Sequence, residues 1–405
     1  MSNNKALTES RGWFKKELDS CLSFWLANGY DRLNGGIYTC LDRAGKIFST
    51  DKSVWMQGRC AWTFARACRM YGTRDEWAKI AESCLDFIET RCVNREAGGR
   101  LYFQTTSDGR PLRQRRYFFS EAFYAMGLAE YGSLCGDAKL IERARGYYDL
   151  LFDLYEGKIS DPAGHGPKII AKNRALTGLA NPMILLNLSR LMRDRDPEHK
   201  DIYEARAKKC ADAIVRKHFK RELRCTLENV GPNGEYYEEA SSCRVVNPGH
   251  DIECAWFLLE QSDRAGDDIL ANTASEMFSF AAEAGWDEKY GGLFYFLDAK
   301  GLPSEAYEHD MKLWWPHNEL IIASLMLYRR TGDEKYMDWF KKAYGYCREF
   351  FADESYGEWF GYLRRDGVPT EPIAKGTTFK GPFHLPRMLM MAESIIDEIT
   401  GDTNG

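Results

Sequence analysis

The sequence predicts an all-α protein built as an (α/α)6 barrel, in which six helical hairpins form one closed ring. Two repeated sequence markers and the number of helical stretches between them support this prediction. Both markers recur at a spacing of about 65 residues, as expected of a chain assembled from similar structural units. The helical stretches number twelve, and we expect residues 1–405 to form a single domain.

The first marker is a segment rich in glycine and aromatic residues that ends in a polar turn. Four clear copies lie at residues 34–45, 97–109, 290–301 and 356–367, and a weaker copy lies at 223–234. The clear copies alternate between apolar and polar residues and then turn at Asp and Gly, a pattern typical of a short β-hairpin. We expect these hairpin-like loops at the mouth of the barrel.

The second marker is a short polar turn between two helical stretches, with copies at residues 71–77, 135–140, 195–201, 264–270 and 331–336. In this marker a glycine ends one helix and an Asp or Thr caps the next. The helices that follow the glycine–aromatic loops are predicted to begin near Val54, Ser120, Pro182, Pro248, Pro316 and Phe383. An open solenoid is the alternative, but solenoids usually carry polar terminal caps, and the terminal repeats here look like the central ones.

Composition limits the classes of function. The chain is 44% hydrophobic and 28% charged, which is typical of a folded globular protein. The net charge is −5 without a basic tract, so we expect no nucleic-acid partner. The sequence has no membrane-length apolar run and no apolar signal segment near Met1, which predicts a cytoplasmic protein without a membrane partner. The 12 cysteines are not arranged in metal-binding pairs, so we predict free thiols and no metal site.

A polar residue lies near the start of each helix of the set that follows the loops: Arg59, Glu121, Asn181, His250, Glu319 and His384. If these helices form the inner ring, their N-terminal ends meet at one mouth and these side chains line one cavity. At the fifth helix, Glu319 suits an inward face better than His317. Glu253 lies one helical turn after His250 and is a candidate for orienting its ring, and Trp55 is a candidate sugar-stacking residue.

These residue types favour acid–base chemistry at a carbon atom. No serine lies in a nucleophile elbow. A helix N-terminus lowers the pKa of a histidine, which keeps the imidazole available as a base near neutral pH. Two imidazoles on opposite sides of one carbon can invert a stereocentre whose proton is acidic, as a proton next to a carbonyl group is, and Arg59 could stabilise the enolate oxygen.

Six segments carry a more specific signal: VWMQGR (54–59), NPGHDIECAWFLL (247–259), GWDEKYGGLFYF (285–296), MKLWWPHNE (311–319), YGEWFGYL (356–363) and FKGPFHLPR (379–387). Together and in this order they resemble the N-acylglucosamine 2-epimerase family, also known from its animal form as renin-binding protein. The similarity runs from about residue 10 to residue 399. The family has an (α/α)6 barrel, in agreement with the repeat count.

The resemblance implies interconversion of N-acetyl-D-glucosamine and N-acetyl-D-mannosamine. It makes His250 and His384 the two acid/base histidines and Arg59 and Glu319 their essential partners. It also places Arg387, more weakly, beside the substrate, where we predict Glu253, Trp55 and Asn181 as further contacts. Related sugar isomerases and cellobiose epimerases carry an additional histidine near Asn181, so its absence favours the N-acyl branch.

The resemblance also implies a homodimer that ATP activates without being consumed, so that the chemistry itself needs no cofactor. The loop at residues 163–174 contains the Gly and Lys that a phosphate could use, although it is not a P-loop.

Three alternatives stay open at this stage. An aldose–ketose isomerase on the same barrel would return the proton to C1 instead of C2. An inverting glycoside hydrolase would need two carboxylates, for which Glu121 and Glu319 are the candidates. A binding protein with a vestigial site is the third alternative, and the presence of both histidines, Arg59 and Glu319 argues against it.

Overall fold

Twelve long helices make up most of the described chain, which comprises residues 3–115, 117–166 and 171–401 of a computed structural model. The outer helices are α1 (Asn3–Phe24), α3 (Asp75–Phe87), α5 (Ala138–Tyr155), α8 (Lys200–Ala213), α11 (Asp268–Gly285) and α13 (Glu334–Tyr346). The inner helices are α2 (Val54–Tyr71), α4 (Phe119–Cys135), α7 (Ala180–Arg195), α10 (Pro248–Ala265), α12 (Trp314–Thr331) and α14 (His384–Thr400). The single-turn helices α6 (Ala171–Arg174) and α9 (Ser241–Arg244) lie in the connecting loops.

The inner helices form a closed ring. Helices α2, α4, α7, α10, α12 and α14 pack side by side in chain order, and α14 packs against α2. Helices α3, α5, α8, α11 and α13 each pack on the inner helix that precedes them, whereas α1 packs on α14. The two ends of the chain therefore complete the ring, which confirms the predicted (α/α)6 barrel and excludes the open solenoid.

Burial separates the two sets of helices. In the inner helix α12, fourteen consecutive residues from Trp314 to Leu327 are buried. In the outer helix α5 only Ala144, Tyr148, Leu151 and Phe152 are buried, and their spacing places them on one face. One continuous hydrophobic core extends from Leu7 to Ile396. In the described part of the chain, no helix combines the length and apolarity that a membrane span requires.

Short antiparallel strands lie in the loops that precede the inner helices. They form one three-stranded sheet, β1-β4-β5, and the two-stranded pairs β10-β11, β12-β13, β2-β3, β6-β9 and β7-β8 among the described residues. The strands are β1 (Lys52–Ser53), β2 (Val93–Asn94), β3 (Arg100–Leu101), β4 (Gln104–Thr105), β5 (Pro111–Arg113), β6 (Thr177–Gly178), β7 (Phe219–Lys220), β8 (Cys225–Thr226), β9 (Asn229–Val230), β10 (Val245–Val246), β11 (Leu297–Asp298), β12 (Lys312–Leu313) and β13 (Tyr362–Leu363). Strands β1 and β12 run directly into α2 and α12. The pairing of β1 with β4 and of β12 with β13 therefore fixes where these two inner helices begin.

Three of the loops are held by a fully buried lysine that pairs with an aspartate at the start of the loop. The pairs, with their Nζ–Oδ2 distances, are Lys52–Asp31 (2.7 Å), Lys312–Asp287 (3.1 Å) and Lys375–Asp353 (3.0 Å). Each Nζ also donates to the carbonyl of a loop glycine, which is Gly35, Gly292 or Gly357, respectively. We call these residues the loop lysines, and each one is a buried charge whose hydrogen bonds join a loop to the barrel.

Replacing the loop lysine Lys52 with Met is expected to lower the free energy of unfolding by about 3 kcal/mol, because Asp31 is left as a buried charge without its partner. Urea denaturation followed by circular dichroism will measure the change. The matched control is Lys46→Met in the same loop, where the side chain is exposed and the change should be small. Equal stability of the two variants would contradict a structural role for the buried pair.

Candidate active site

The N-terminal ends of the inner helices enclose a cavity of about 670 Å³, a volume suited to a small-molecule ligand. Aromatic rings make up much of its wall, and the polar groups are few. The predicted site residues that line it are Trp55, Arg59, His250, Glu253, His384 and Arg387. The geometry thus brings six of the eight predicted residues to one cavity.

Local sequence places His250 at the mouth. Pro248 begins α10, where its missing N–H is not needed, and the side chain of Asn247 caps the helix by accepting from the His250 N–H at 3.2 Å. A Cβ on Gly249 would lie 2.7 Å from the ring of Trp315, so only glycine permits this contact. As a result the imidazole of His250 packs against Trp315, with ring centres 5.0 Å apart.

His250 is held as a cation by a carboxylate that the sequence did not reveal. Its Nδ1 donates to Oε1 of Glu228 at 2.6 Å, and Glu228 lies between strands β8 and β9. Burial alone would lower the pKa of His250, but the negative charge and hydrogen bond of Glu228 outweigh it and raise the pKa to about 9. His250 therefore carries a proton at neutral pH and is suited to act as an acid.

Replacing Glu228 with Gln keeps a hydrogen-bond acceptor but removes the charge, so the pKa of His250 should fall below 9. In the direction of reaction that needs protonated His250, kcat/KM at pH 8 should then drop about tenfold while the value at pH 6 changes little. A profile of kcat/KM against pH checks this, because the fall in kcat/KM at high pH should begin at a lower pH in the variant. Glu222→Gln, in an exposed turn of the same hairpin, should keep the wild-type profile, and an unshifted fall in Glu228→Gln would rule out the proposed charge effect.

His384 has the opposite electrostatic environment. It is the first residue of α14, and its Nδ1 donates to Oε1 of Glu319 at 2.8 Å. Burial, together with the positive charges of Arg387 and Arg59, lowers the pKa of His384 well below its usual value. The imidazole is therefore neutral, and its Nε2 lone pair is available as a base.

Glu319 lies behind His384 instead of in the cavity wall where the sequence analysis placed it. The carboxylate is fully buried, and its Oε2 accepts from the indole N–H of Trp256 at 2.9 Å. Nη2 of Arg387 donates to Oε1 of Glu319 at 2.7 Å and to Glu253 at 2.6 Å. Glu319 thus fixes the ring of His384 and offsets the positive charge that forms when that ring takes up a proton.

The same carboxylates form a group with ligand atoms close enough for a metal ion. One ligand atom each from Glu253, Glu319 and His384 lies within 4.8 Å of the others. Arg387 donates to both carboxylates, so a guanidinium supplies the positive charge between them. Glu253 therefore binds Arg387, and the prediction that it orients His250 was wrong: Glu228 does so.

Arg59 is a half-buried cation that makes no ion pair with the other described residues. Its guanidinium lies over the rings of Phe123, at 4.0 Å, and Phe383, at 4.7 Å, and its Nε has no acceptor among the described residues. Burial lowers its pKa to about 9, so it remains charged at neutral pH. Because α4 packs so closely on α2 that a Cβ on Gly58 would clash with the backbone of Phe123, Arg59 is held rigidly beside the cavity, where it can bind a negatively charged oxygen.

Comparison with known proteins identifies the family of this chain. The family described as N-acylglucosamine 2-epimerase matches residues 36–380. The N-acylglucosamine 2-epimerase of Rattus norvegicus is 37% identical over 389 residues, which cover 94% of this chain and 90% of that protein. This chain belongs to the N-acylglucosamine 2-epimerase family. The human relative is 36% identical over 389 residues, covering 94% of this chain and 88% of its own length.

The protein is therefore an epimerase of this family, and its reaction is a sugar 2-epimerisation. Its fold agrees with that of a cellobiose 2-epimerase from Bacillus thermoamylovorans, with a TM-score of 0.82, 20% identity and coverage of 96% of this chain and 99% of the other. At that identity the similarity concerns the barrel alone.

Besides Glu319, two residues predicted to line the cavity of this epimerase lie elsewhere. The cavity wall takes Ala180, Ile184 and Asn187 from α7, and Asn181 is about 100° around the helix from that stripe. Asn187, not Asn181, is the amide that reaches the cavity. In α4 the wall takes Phe119 and Phe123, which turns Glu121 away from it.

Glu121 has a structural role in the epimerase. Its Oε1 accepts from Nε of Arg100 at 2.6 Å and from the Leu101 N–H at 2.8 Å. His317 is also structural, because its Nδ1 donates to the Leu313 carbonyl and burial lowers its pKa to about 3. The hydrolase alternative, which needed Glu121 opposite Glu319, thus lacks its carboxylate pair in the cavity.

Trp55 lies in the wall among aromatic rings, with Phe103 at 5.1 Å and Phe119 at 5.4 Å between ring centres. Its indole N–H has no acceptor among the described residues, which leaves it available to a polar ligand. The loop at 163–174, considered for a phosphate, includes residues 167–170, which lie outside the described residues.

Proposed function

We propose that this enzyme interconverts N-acetyl-D-glucosamine and N-acetyl-D-mannosamine by proton transfer at C2 of the ring-opened sugar. The observation that carries the proposal is the pairing of a protonated and a neutral imidazole in one cavity. His250 and His384 both contact Trp315, with ring centres 5.0 Å and 5.6 Å from it. Titratable groups whose environments push their pKa values apart are suited to serve as acid and base.

The protonation state and surroundings of each side chain indicate which step of the reaction it carries out. Neutral His384 takes the proton from C2, and the electrons of the broken C–H bond move to the carbonyl oxygen at C1. Arg59 stabilises the enolate that results, because its guanidinium makes no ion pair among the described residues and its Nε has no acceptor there. His250 then gives a proton to the opposite face of C2, which inverts the stereocentre. In the reverse direction the two histidines exchange roles.

The choice of an N-acylated substrate is supported by the relatives. The animal proteins that share more than a third of their residues with this chain are named for N-acylglucosamine, whereas a cellobiose 2-epimerase shares a quarter. The largely aromatic wall, with few fixed polar groups, suits a small ligand that carries both an apolar acyl methyl and hydroxyl groups.

Reaction in heavy water is the test that separates this function from its alternatives. With one base on each face, the abstracted proton stays on the wrong side of C2, so nearly every product molecule should carry deuterium at C2. An aldose–ketose isomerase would label C1 and form a ketose instead. NMR of the product formed from N-acetyl-D-mannosamine distinguishes these results, and product that retains hydrogen at C2 would exclude the two-histidine mechanism.

We also propose two properties on the basis of the family resemblance, activation by ATP without its consumption and a homodimeric state. Assays with and without ATP and with a non-hydrolysable analogue will test the first. Light scattering on the purified protein will test the second.

A further inference from the structure

A second cavity lies at the opposite end of the barrel from the candidate active site. Its volume is about 290 Å³, and it lies among the C-terminal halves of the inner helices. Its wall contains four carboxylates and six arginines, which are Arg66, Arg190, Arg195, Arg264, Arg329 and Arg387. We call it the distal cavity, and of these arginines only Arg387 also takes part in the active-site network.

The carboxylates of the distal cavity do not balance its arginines. Glu130 is shared by two of them and by Arg69: Nε of Arg195 donates to it at 2.7 Å, Nη1 of Arg69 donates at 3.3 Å, and Nη1 of Arg66 lies 3.7 Å away. One carboxylate cannot neutralise three guanidinium groups. The other arginines of the wall have carboxylates of their own, which are Glu260 for Arg190, Asp194 for Arg264, Glu398 for Arg329, and Glu253 with Glu319 for Arg387. Among the described residues, the excess positive charge of the wall therefore lies near Arg66.

Two arginines of the wall also have buried N–H groups without acceptors. Nη1 of Arg190 pairs with Glu260 and Nη2 donates to Asn187, but Nε of Arg190 has no hydrogen-bond partner among the described residues. The same is true of Nε of Arg387, a residue that is only 3% exposed. Burial, with a smaller contribution from the charges of Arg264 and Arg387, lowers the pKa of Arg190 to about 9. A buried N–H left unpaired costs roughly 1–3 kcal/mol, so an acceptor in this space would be stabilising.

We propose that the distal cavity binds a small oxyanion of the size of inorganic phosphate. Guanidinium groups bind tetrahedral oxyanions through paired N–H donors. Such an anion, placed between Arg66 and Arg190, supplies the negative charge that is missing near Arg66 and an acceptor for Nε of Arg190. The cavity has less than half the volume of the substrate cavity, which favours a free anion over a nucleotide.

The anion is placed to influence the active site through Arg387, which lines both cavities. Arg387 donates to Glu319, and Glu319 accepts from Nδ1 of His384. A negative charge on the distal side of Arg387 offsets part of the positive charge that disfavours protonation of His384. Bound phosphate should therefore raise the pKa of His384, and by linkage protonation of His384 should tighten phosphate binding.

Thermal unfolding of the full-length protein in inorganic phosphate tests the proposal, with sodium chloride of equal ionic strength as the reference. Phosphate is expected to raise Tm in a saturable way beyond the effect of chloride. Arg66→Gln and Arg190→Gln should each weaken this response at least tenfold in phosphate concentration. Arg221→Gln, which removes an exposed arginine paired with Glu276, should respond as the wild type does.

Two outcomes would overturn the proposal: a response no larger than that to chloride, or an undiminished response in Arg66→Gln. Arg66→Gln is the decisive variant if Arg190→Gln fails to fold, because Glu130 keeps two arginines in its absence. ATP also carries phosphate groups, so adding it to the phosphate-bound protein shows whether the cavity binds free phosphate or the nucleotide. ATP should not displace phosphate, and displacement would contradict the ligand size assigned to the cavity.

Discussion

His384→Asn and His250→Asn are each expected to lower the rate of epimerisation at least a thousandfold. General acid–base catalysis contributes about 10²–10⁴-fold per group, and here each variant lacks a proton donor or acceptor on one face of C2. The measurement is kcat for conversion of N-acetyl-D-mannosamine, with the product quantified by chromatography. Far-UV circular dichroism should show that both variants keep the helical fold.

The two variants should also differ from each other in heavy water. Each retains a base on one face only, so each should exchange the C2 hydrogen of one epimer with solvent without forming the other. His199→Asn is the matched control, because His199 lies at the far end of the barrel and pairs with Asp196. Full epimerisation by either active-site variant would show that one base serves both faces and that the two-histidine scheme is wrong.

Arg59→Lys is expected to lower kcat by about two orders of magnitude. Lysine keeps the positive charge but lacks the planar guanidinium that lies over Phe123 and Phe383. Removing one donor of this kind from a developing oxyanion typically costs about 3 kcal/mol of transition-state stabilisation. Since the charge remains, KM should change less than kcat, and steady-state kinetics will separate the two.

Arg66→Lys provides the comparison, because Arg66 lies on the same helix, two turns further from the mouth. Its side chain is about one third exposed and lies 3.7 Å from Glu130, so in buffer without phosphate its replacement should leave kcat near the wild-type value. A near-native rate in Arg59→Lys would mean that Arg59 supports the aromatic wall and takes no part in stabilising the enolate.

Periodicity was sufficient to predict the barrel. Helices α2 and α10 begin at Val54 and Pro248, as predicted, and α4 begins one residue before the expected Ser120. The predictions succeeded because glycine turns, caps and apolar stripes are local features that the sequence shows directly. The same periodicity predicted that Arg59, His250 and His384 lie at one end of the ring, as they do.

The sequence could not reveal contacts that depend on side-chain direction or on strand pairing. Asn181 and Glu121 have the expected position along their helices, but a difference of one or two residues turns each away from the cavity. Glu228 lies in the weakest copy of the loop marker, and its contact with His250 depends on how the β7–β8 hairpin and the β9 strand fold over α10. The only indication in the sequence was that Glu228 is a carboxylate in a loop expected at the mouth of the barrel.

Ring closure by the two ends of the chain has a consequence for synthesis of the protein. Helix α14, which carries His384 and Arg387, is made after the other described helices, and it must pack between α2 and α12 while α1 packs on its outer face. A nascent chain without α14 can form the earlier hairpins but lacks one of the two histidines and has no closed wall. Epimerase activity should therefore arise only once α14 has been made, and a premature stop before α14 should leave an open, apolar cleft for chaperones or proteases to recognise.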